Sequence, residues 1–118
     1  MQVNKESFTL FHLQNRVTVT VTPESSMSTS RLAIGKFALA EKTLQNGVVE
    51  VMPKSIFRPS PIMVIHQMYK AEGGLSEIEV RVLTEMGYGA GAREVFIWQG
   101  APLTEQQLWD GVYKGNAE

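Results

Sequence analysis

The segment at residues 16–22, in which valine and threonine alternate after Arg16, is the clearest periodic pattern in the chain. The valines occupy one face and the threonines the other, which predicts a half-buried strand that Pro23 ends. Residues 7–13 are the predicted partner strand. Gln14 and Asn15 between the two segments suit a short turn, because asparagine tolerates positive φ. The pattern therefore predicts an N-terminal β-hairpin.

The segments that follow are less regular. Residues 23–30 are rich in serine and threonine without periodicity, which predicts a flexible surface loop. Residues 31–45 fit a helix with apolar positions on one face, or a strand. If these residues form a helix, Asn46-Gly47 ends it; if they form a strand, Asn46-Gly47 is a hairpin turn. Alanine content favours the helix, and residues 48–52 are predicted to form a short strand ended by Pro53.

Residues 60–74 are predicted to form a helix after an irregular connector at residues 54–59. Ser60 is a suitable N-cap and Pro61 suits the first helical position, where a missing N–H costs nothing. Four side chains fall on one helical face: Ile62, Ile65, His66 and Tyr69. Gly73-Gly74 is the predicted end of the helix.

A hexad of similar character occurs twice. Leu-Ser-Glu-Ile-Glu-Val at residues 75–80 is matched by Leu-Thr-Glu-Gln-Gln-Leu at residues 103–108. Each combines a hydroxyl N-cap, an acid or amide three residues later, and a flanking apolar pair, as in a capping box with a hydrophobic staple. The hexads predict helix starts at Glu77 and Glu105, with the helices running to about residues 86 and 114.

Between these helices lie a glycine-rich link at residues 87–92 and a segment of strand composition at residues 93–99. The predicted order is β-β-α-β-α-α-β-α. We therefore expect a single α+β domain over residues 1–118, with a small, mainly antiparallel sheet covered by three to four helices. The length of 118 residues suits one domain.

Composition narrows the function classes. The formal net charge is -1, so no global field attracts nucleic acid, and 43% of residues are hydrophobic, enough for a core. Absence of cysteine removes disulfides and thiolate chemistry. Neither a signal peptide nor an apolar run of membrane-spanning length is apparent, which predicts a soluble, cytoplasmic protein without membrane partners.

One segment resembles a known DNA-binding motif. Gly74-Leu75-Ser76, with Val80 four residues after the serine, resembles the turn and second helix of a helix-turn-helix, and the strand after Gly91 could serve as a wing. Under this alternative, the DNA-contacting residues would be Lys70, Arg81 and Arg93.

The candidate recognition helix argues against this alternative. It carries Glu77, Glu79 and Glu85 against Arg81 alone, and carboxylates repel phosphates. Lys70 also stands four residues before Gly74, where such motifs usually have a small residue. We therefore expect nucleic-acid binding to be absent or weak.

Other candidate chemistry has ordinary structural interpretations. The glycines at residues 87–91 follow a helix and precede a strand, which is the wrong order for a dinucleotide or phosphate loop. His12 and His66 lack neighbours with metal-ligand spacing, and no nucleophile elbow is present. We expect no metal, no cofactor and no catalytic residue, with an enzyme whose site assembles only in space as a third hypothesis.

Large amphipathic side chains cluster near the C-terminus. Trp109 and Tyr113 are four residues apart, so on one helix they would lie at the border of a core stripe formed by Leu108 and Val112. With Trp98, these aromatic residues are typical of protein-binding surfaces. The leading hypothesis is a non-catalytic module, such as an inhibitor, adaptor or assembly component, that binds another protein through this surface. A homo-oligomer is an open alternative.

Overall fold

The computed structural model describes residues 1–29, 32–52 and 60–116, so the predicted connector at residues 54–59 lies outside the described residues. The elements follow one another as three strands, a helix, a strand, a helix, a strand and a short helix. They are β1 (Gln2–Asn4), β2 (Ser7–His12), β3 (Val17–Val21), α1 (Phe37–Val51), β4 (Ile62–Gln67), α2 (Glu77–Gly89), β5 (Glu94–Trp98) and α3 (Glu105–Asp110), followed by a 3₁₀ turn at Val112–Asn116.

The sheet is mixed, in the order β3-β2-β1-β4-β5. β2 pairs antiparallel with β1 and β3, whereas β4 pairs parallel with β1 and β5. The α+β class and the β2–β3 hairpin are confirmed, but the expectation of a mainly antiparallel sheet covered by three to four helices is wrong. The described residues form three α-helices, and only α1 and α2 reach seven residues.

The largest correction concerns the helix predicted over residues 60–74, where residues 62–67 form β4 instead. Met63, Ile65 and Gln67 are buried in strict alternation, which is the period of a strand. β4 lies between β1 and β5, and parallel strands inside a sheet have near-continuous apolar sequences that can also fit a helical stripe. The contacts to both neighbours override the helical pattern.

A second correction concerns the strand predicted at residues 48–52, because α1 continues through Asn46-Gly47 to Val51. Gly47 is buried, and a Cβ there would lie 3.0 Å from a methyl group of Val21 and 3.1 Å from one of Leu10. The absence of a side chain at Gly47 therefore lets α1 approach the hairpin closely. This packing keeps Asn46-Gly47 helical, although the pair alone suggests a helix end or a turn.

α1 and α2 cover one face of the sheet and enclose the core. Fully buried side chains from both layers meet there, among them Phe8, Leu44, Ile65, Leu83 and Met86. The opposite face is contacted by the C-terminal 3₁₀ turn, where the Tyr113 ring meets the Phe96 ring edge-on at 5.1 Å.

Both capping boxes form as the hexads predict. Ser76 Oγ accepts from the backbone N–H of Glu79 at 3.2 Å, and Thr104 Oγ1 accepts from that of Gln107 at 3.1 Å. In the reciprocal bonds, the backbone N–H of Ser76 donates to Glu79 Oε1 and that of Thr104 donates to Gln107 Oε1, both at 2.9 Å. α2 continues to Gly89, past the predicted end.

The described part of the loop after β3, residues 22–29, makes specific contacts with the β1–β2 turn. Met27 is fully buried. The Glu6 carboxylate accepts hydrogen bonds from the backbone N–H groups of Met27, at 2.7 Å, and Ser28, at 3.1 Å, and from the hydroxyls of Ser26 and Ser28. These bonds lower the pKa of Glu6 to about 2 and fasten the loop to the β1–β2 turn.

Candidate functional site

A groove of about 750 Å³ lies at the end of the sheet where β2 finishes and β4 begins. Its walls come from the ends of β2 and α1, the start of β4, and the C-terminal segment. The lining is mainly apolar, including Phe11, Val51, Val64, Leu108 and Trp109. This volume lies within the range typical of ligand-binding clefts, so the groove is the principal candidate site among the described residues.

The C-terminal segment positions two of the three predicted surface aromatics in this groove. α3 ends at Asp110 because Gly111 adopts a left-handed conformation with φ of 72°. Trp109 is 54% exposed, whereas Tyr113 is 9% exposed and packs on Phe96.

The prediction that Trp109 and Tyr113 share one helical face is therefore wrong. The helix ends between the two aromatics, which places Tyr113 in the 3₁₀ turn. Val112, expected in the core, is 41% exposed, while Tyr113 is buried. The left-handed residue at the C-cap reverses which side chains face inward.

Trp98 lies elsewhere. It is the last residue of β5, opposite His66, and its indole Nε1 donates to the carbonyl of Ala101 at 2.8 Å. The groove is at the start of β4 and β5, where Ile62 pairs with Glu94. Trp98 is thus separated from the groove by the length of a strand.

The residues of the DNA-binding alternative do not converge. Arg93 precedes β5 and Lys70 follows β4, so the two lie at opposite ends of these parallel strands. Arg81 lies on α2 with its Nε 3.3 Å from a Glu85 carboxylate oxygen. The Lys70 ammonium lies 5.1 Å from the centre of the Tyr69 ring. Because residues 62–67 form β4, the first helix of the resembled motif is also absent.

The two histidines occupy separate places. Nδ1 of His12 accepts from the backbone N–H of Asn15 at 3.1 Å in the hairpin turn. Burial lowers the pKa of His66, and the nearby ammonium of Met1 acts in the same direction, opposed by a hydrogen bond with the Gly100 backbone. Within the described ranges, no group of three or more histidine and acidic side chains is arranged to hold a metal ion.

Met1 also lines the groove. The Met1 α-amino group is buried and donates to the Val64 carbonyl at 2.6 Å, and this burial lowers its pKa to about 6.

No helix among the described residues combines the length and apolarity needed to cross a membrane.

Sequence reasoning missed the contribution of β2 to the groove. Phe8 and Leu10 are buried in the core, whereas Phe11 and Leu13 occupy the alternate positions. Leu10, Phe11 and Leu13 all line the groove. Apolar residues on both faces at one end of a strand indicate that both faces are covered there. That break in alternation was the available signal.

Comparison with known proteins shows the family to which the chain belongs. It aligns over 95 residues with the uncharacterized protein YjaA of Escherichia coli K12 at 34% identity, covering 76% of this chain and 73% of YjaA. The chain belongs to the family of YjaA. No protein-family model matches, and no solved structure matches significantly.

A second similarity is partial. Over 64 residues the chain is 38% identical to the cell shape-determining protein MreB of Escherichia coli K12, and an equal match is found to MreB of Salmonella typhimurium. The aligned part covers 54% of this chain but only 17% of MreB. This likeness is local and does not extend to the whole of MreB.

Proposed function

We propose that the chain is a non-catalytic module that binds another protein in the groove between the β2–β4 end of the sheet and the C-terminal segment. The observation that carries the proposal is the 54% exposure of Trp109 on a mainly apolar groove. Exposed tryptophan beside a concave apolar surface is typical of a binding hot spot, because a partner can bury the ring completely.

Ile78, another strongly exposed apolar side chain, is a weaker candidate for a binding surface than Trp109. Ile78 is 70% exposed on α2, but it stands between Glu77 and Glu79 and near the Arg81–Glu85 ion pair. A single apolar side chain among charges is an ordinary surface feature. Ile78 is therefore a suitable control for Trp109.

The experiment compares three full-length tagged chains in cells that express the protein natively. Partners recovered by the wild type, Trp109→Ala and Ile78→Ala are quantified by mass spectrometry, and the affinity of a purified partner is then measured for each. We expect Trp109→Ala to weaken binding about thirtyfold, equivalent to 2 kcal/mol, and Ile78→Ala to bind like the wild type. Equal binding by both variants would contradict the proposal.

A further inference from the structure

β1 separates β2 from β4 over only part of their lengths. It pairs with β2 at Gln2–Asn4 and with β4 at Gln2 and Val3. β4 runs parallel to β1, whereas β2 runs antiparallel to it. The end of β2 and the start of β4 therefore both extend beyond the N-terminal end of β1. Among the described residues, nothing pairs between these two strand ends, which stand about 9.5 Å apart if the strand spacing is kept.

Backbone directions can be assigned from the hydrogen bonds on either side. The His12 carbonyl accepts from Arg16 in the hairpin, so His12 faces β3. Backbone groups of successive residues alternate in direction, which turns the N–H and C=O of Phe11 toward the groove. On β4, His66 donates to the Met1 carbonyl, so Ile62, four residues earlier, also faces the groove.

The side-chain environment suits an extended occupant. Val51 and Met63 lie on the side of the groove nearest the helices, and Phe11 and Trp109 lie on the other. Alternate side chains of a strand placed between β2 and β4 would therefore meet apolar surface on both faces.

Charge further defines the occupant. Among the described residues that line the groove, Arg93 and His12 carry basic side chains and none carries a carboxylate. A peptide with an acidic side chain would thus be attracted rather than repelled.

We propose that the groove takes an extended, apolar segment of the partner protein, carrying at least one acidic side chain, as an additional strand between β2 and β4. This inference rests on the proposed function and specifies its mode of recognition. Strand addition of this kind gains affinity from main-chain hydrogen bonds and specificity from alternate side chains.

The test uses the full chain and a displayed library of random ten-residue peptides as the probe. Selected peptides are synthesised and titrated against Phe11→Pro, which lacks the N–H that faces the groove, and against Phe11→Val as the matched control. Ile62→Pro and Ile62→Val form a second pair, in case Phe11→Pro fails to fold, as checked by circular dichroism. We expect each proline variant to bind at least tenfold more weakly than its valine control.

Replacing the acidic residue of a selected peptide by its amide should also weaken binding. Three results would overturn the inference: selection yields no binding peptide, binding is the same in the proline and valine variants, or light scattering shows that a second copy of the chain occupies the groove. If the natural partner still depends on Trp109 in those cases, the proposed function survives without strand addition.

Discussion

Replacing Glu6 by glutamine should destabilise the protein in a pH-dependent way. The carboxylate joins the β1–β2 turn to the loop that carries Met27, accepting four hydrogen bonds, two of them from the backbone N–H groups of Met27 and Ser28. Glutamine preserves the shape but offers one acceptor oxygen and no charge. The lost bonds are charge-assisted, which makes them stronger than neutral ones.

The magnitude follows from the pKa of Glu6. These bonds lower it from an ordinary value of 4.5 to about 2, which would correspond to roughly 3 kcal/mol at 1.36 kcal/mol per pKa unit. Glu6 is only half-buried, so solvent screens the interaction. We expect Glu6→Gln to lower the free energy of unfolding by about 1–2 kcal/mol at pH 7.

The sign of the pH dependence is fixed by linkage. A carboxyl whose pKa is lower in the folded state stabilises the fold above its unfolded pKa, and that stability is lost as pH falls through the folded pKa. The difference between wild type and Glu6→Gln should therefore be constant above about pH 5 and shrink between pH 4.5 and 2.

Urea denaturation at several pH values provides the assay, with Glu24→Gln as control, since Glu24 is an exposed acid of the same loop. The control should follow the wild type throughout. A Glu6→Gln deficit that stays the same from pH 7 to pH 2, or no deficit at all, would contradict this role of the Glu6 carboxylate.

Four other outcomes are expected. Ser76→Ala and Thr104→Ala should each cost about 0.5–2 kcal/mol in urea melts, since each removes a capping bond. Gly87→Ala should destabilise by about 1–3 kcal/mol despite better helix propensity, because its Cβ would lie 2.7 Å from a Val95 methyl group; an unchanged melting temperature would contradict this packing. Trp109→Ala should lower stability by about 1 kcal/mol, because the ring is already half exposed, and outright unfolding in a thermal melt would show that it belongs to the core. Fluorescence anisotropy with random duplex DNA at low salt should detect little binding, given the acidic first turn of α2; sub-micromolar, salt-sensitive affinity would contradict this.

Local signals in the sequence proved dependable where the structure they specify is local. The caps at Ser76 and Thr104 depend on atoms within four residues, and both formed as expected. The β2–β3 hairpin is also contiguous, although the residue with positive φ in its turn is Arg16 rather than Asn15.

Signals that depend on distant contacts were misread. Gly47 looks like a helix stop in isolation, but its place is set by Val21 and Leu10 across the core. The segment that became β4 carries an apolar pattern compatible with either period, and its neighbours β1 and β5 decide between them. Local sequence patterns do not indicate which strands will pair with β4.

The candidate site shows the same division. Trp109 could be predicted as an exposed aromatic because its helix start is local. The groove itself could not, since it depends on strand order and on Gly111 ending α3 early. Phe11 and Arg93 are distant in sequence, and both line the groove because the strand order brings their segments to the same end of the sheet.

Amide hydrogen exchange of the full chain, with and without its captured partner, shows whether the groove is the binding surface. If the groove is the binding surface, the partner should slow exchange at Phe11, Ile62 and the segment around Trp109, while the exposed face of α2 around Ile78 remains unchanged. Protection confined to α2, with exchange at Phe11 and Trp109 unaffected, would contradict binding in the groove.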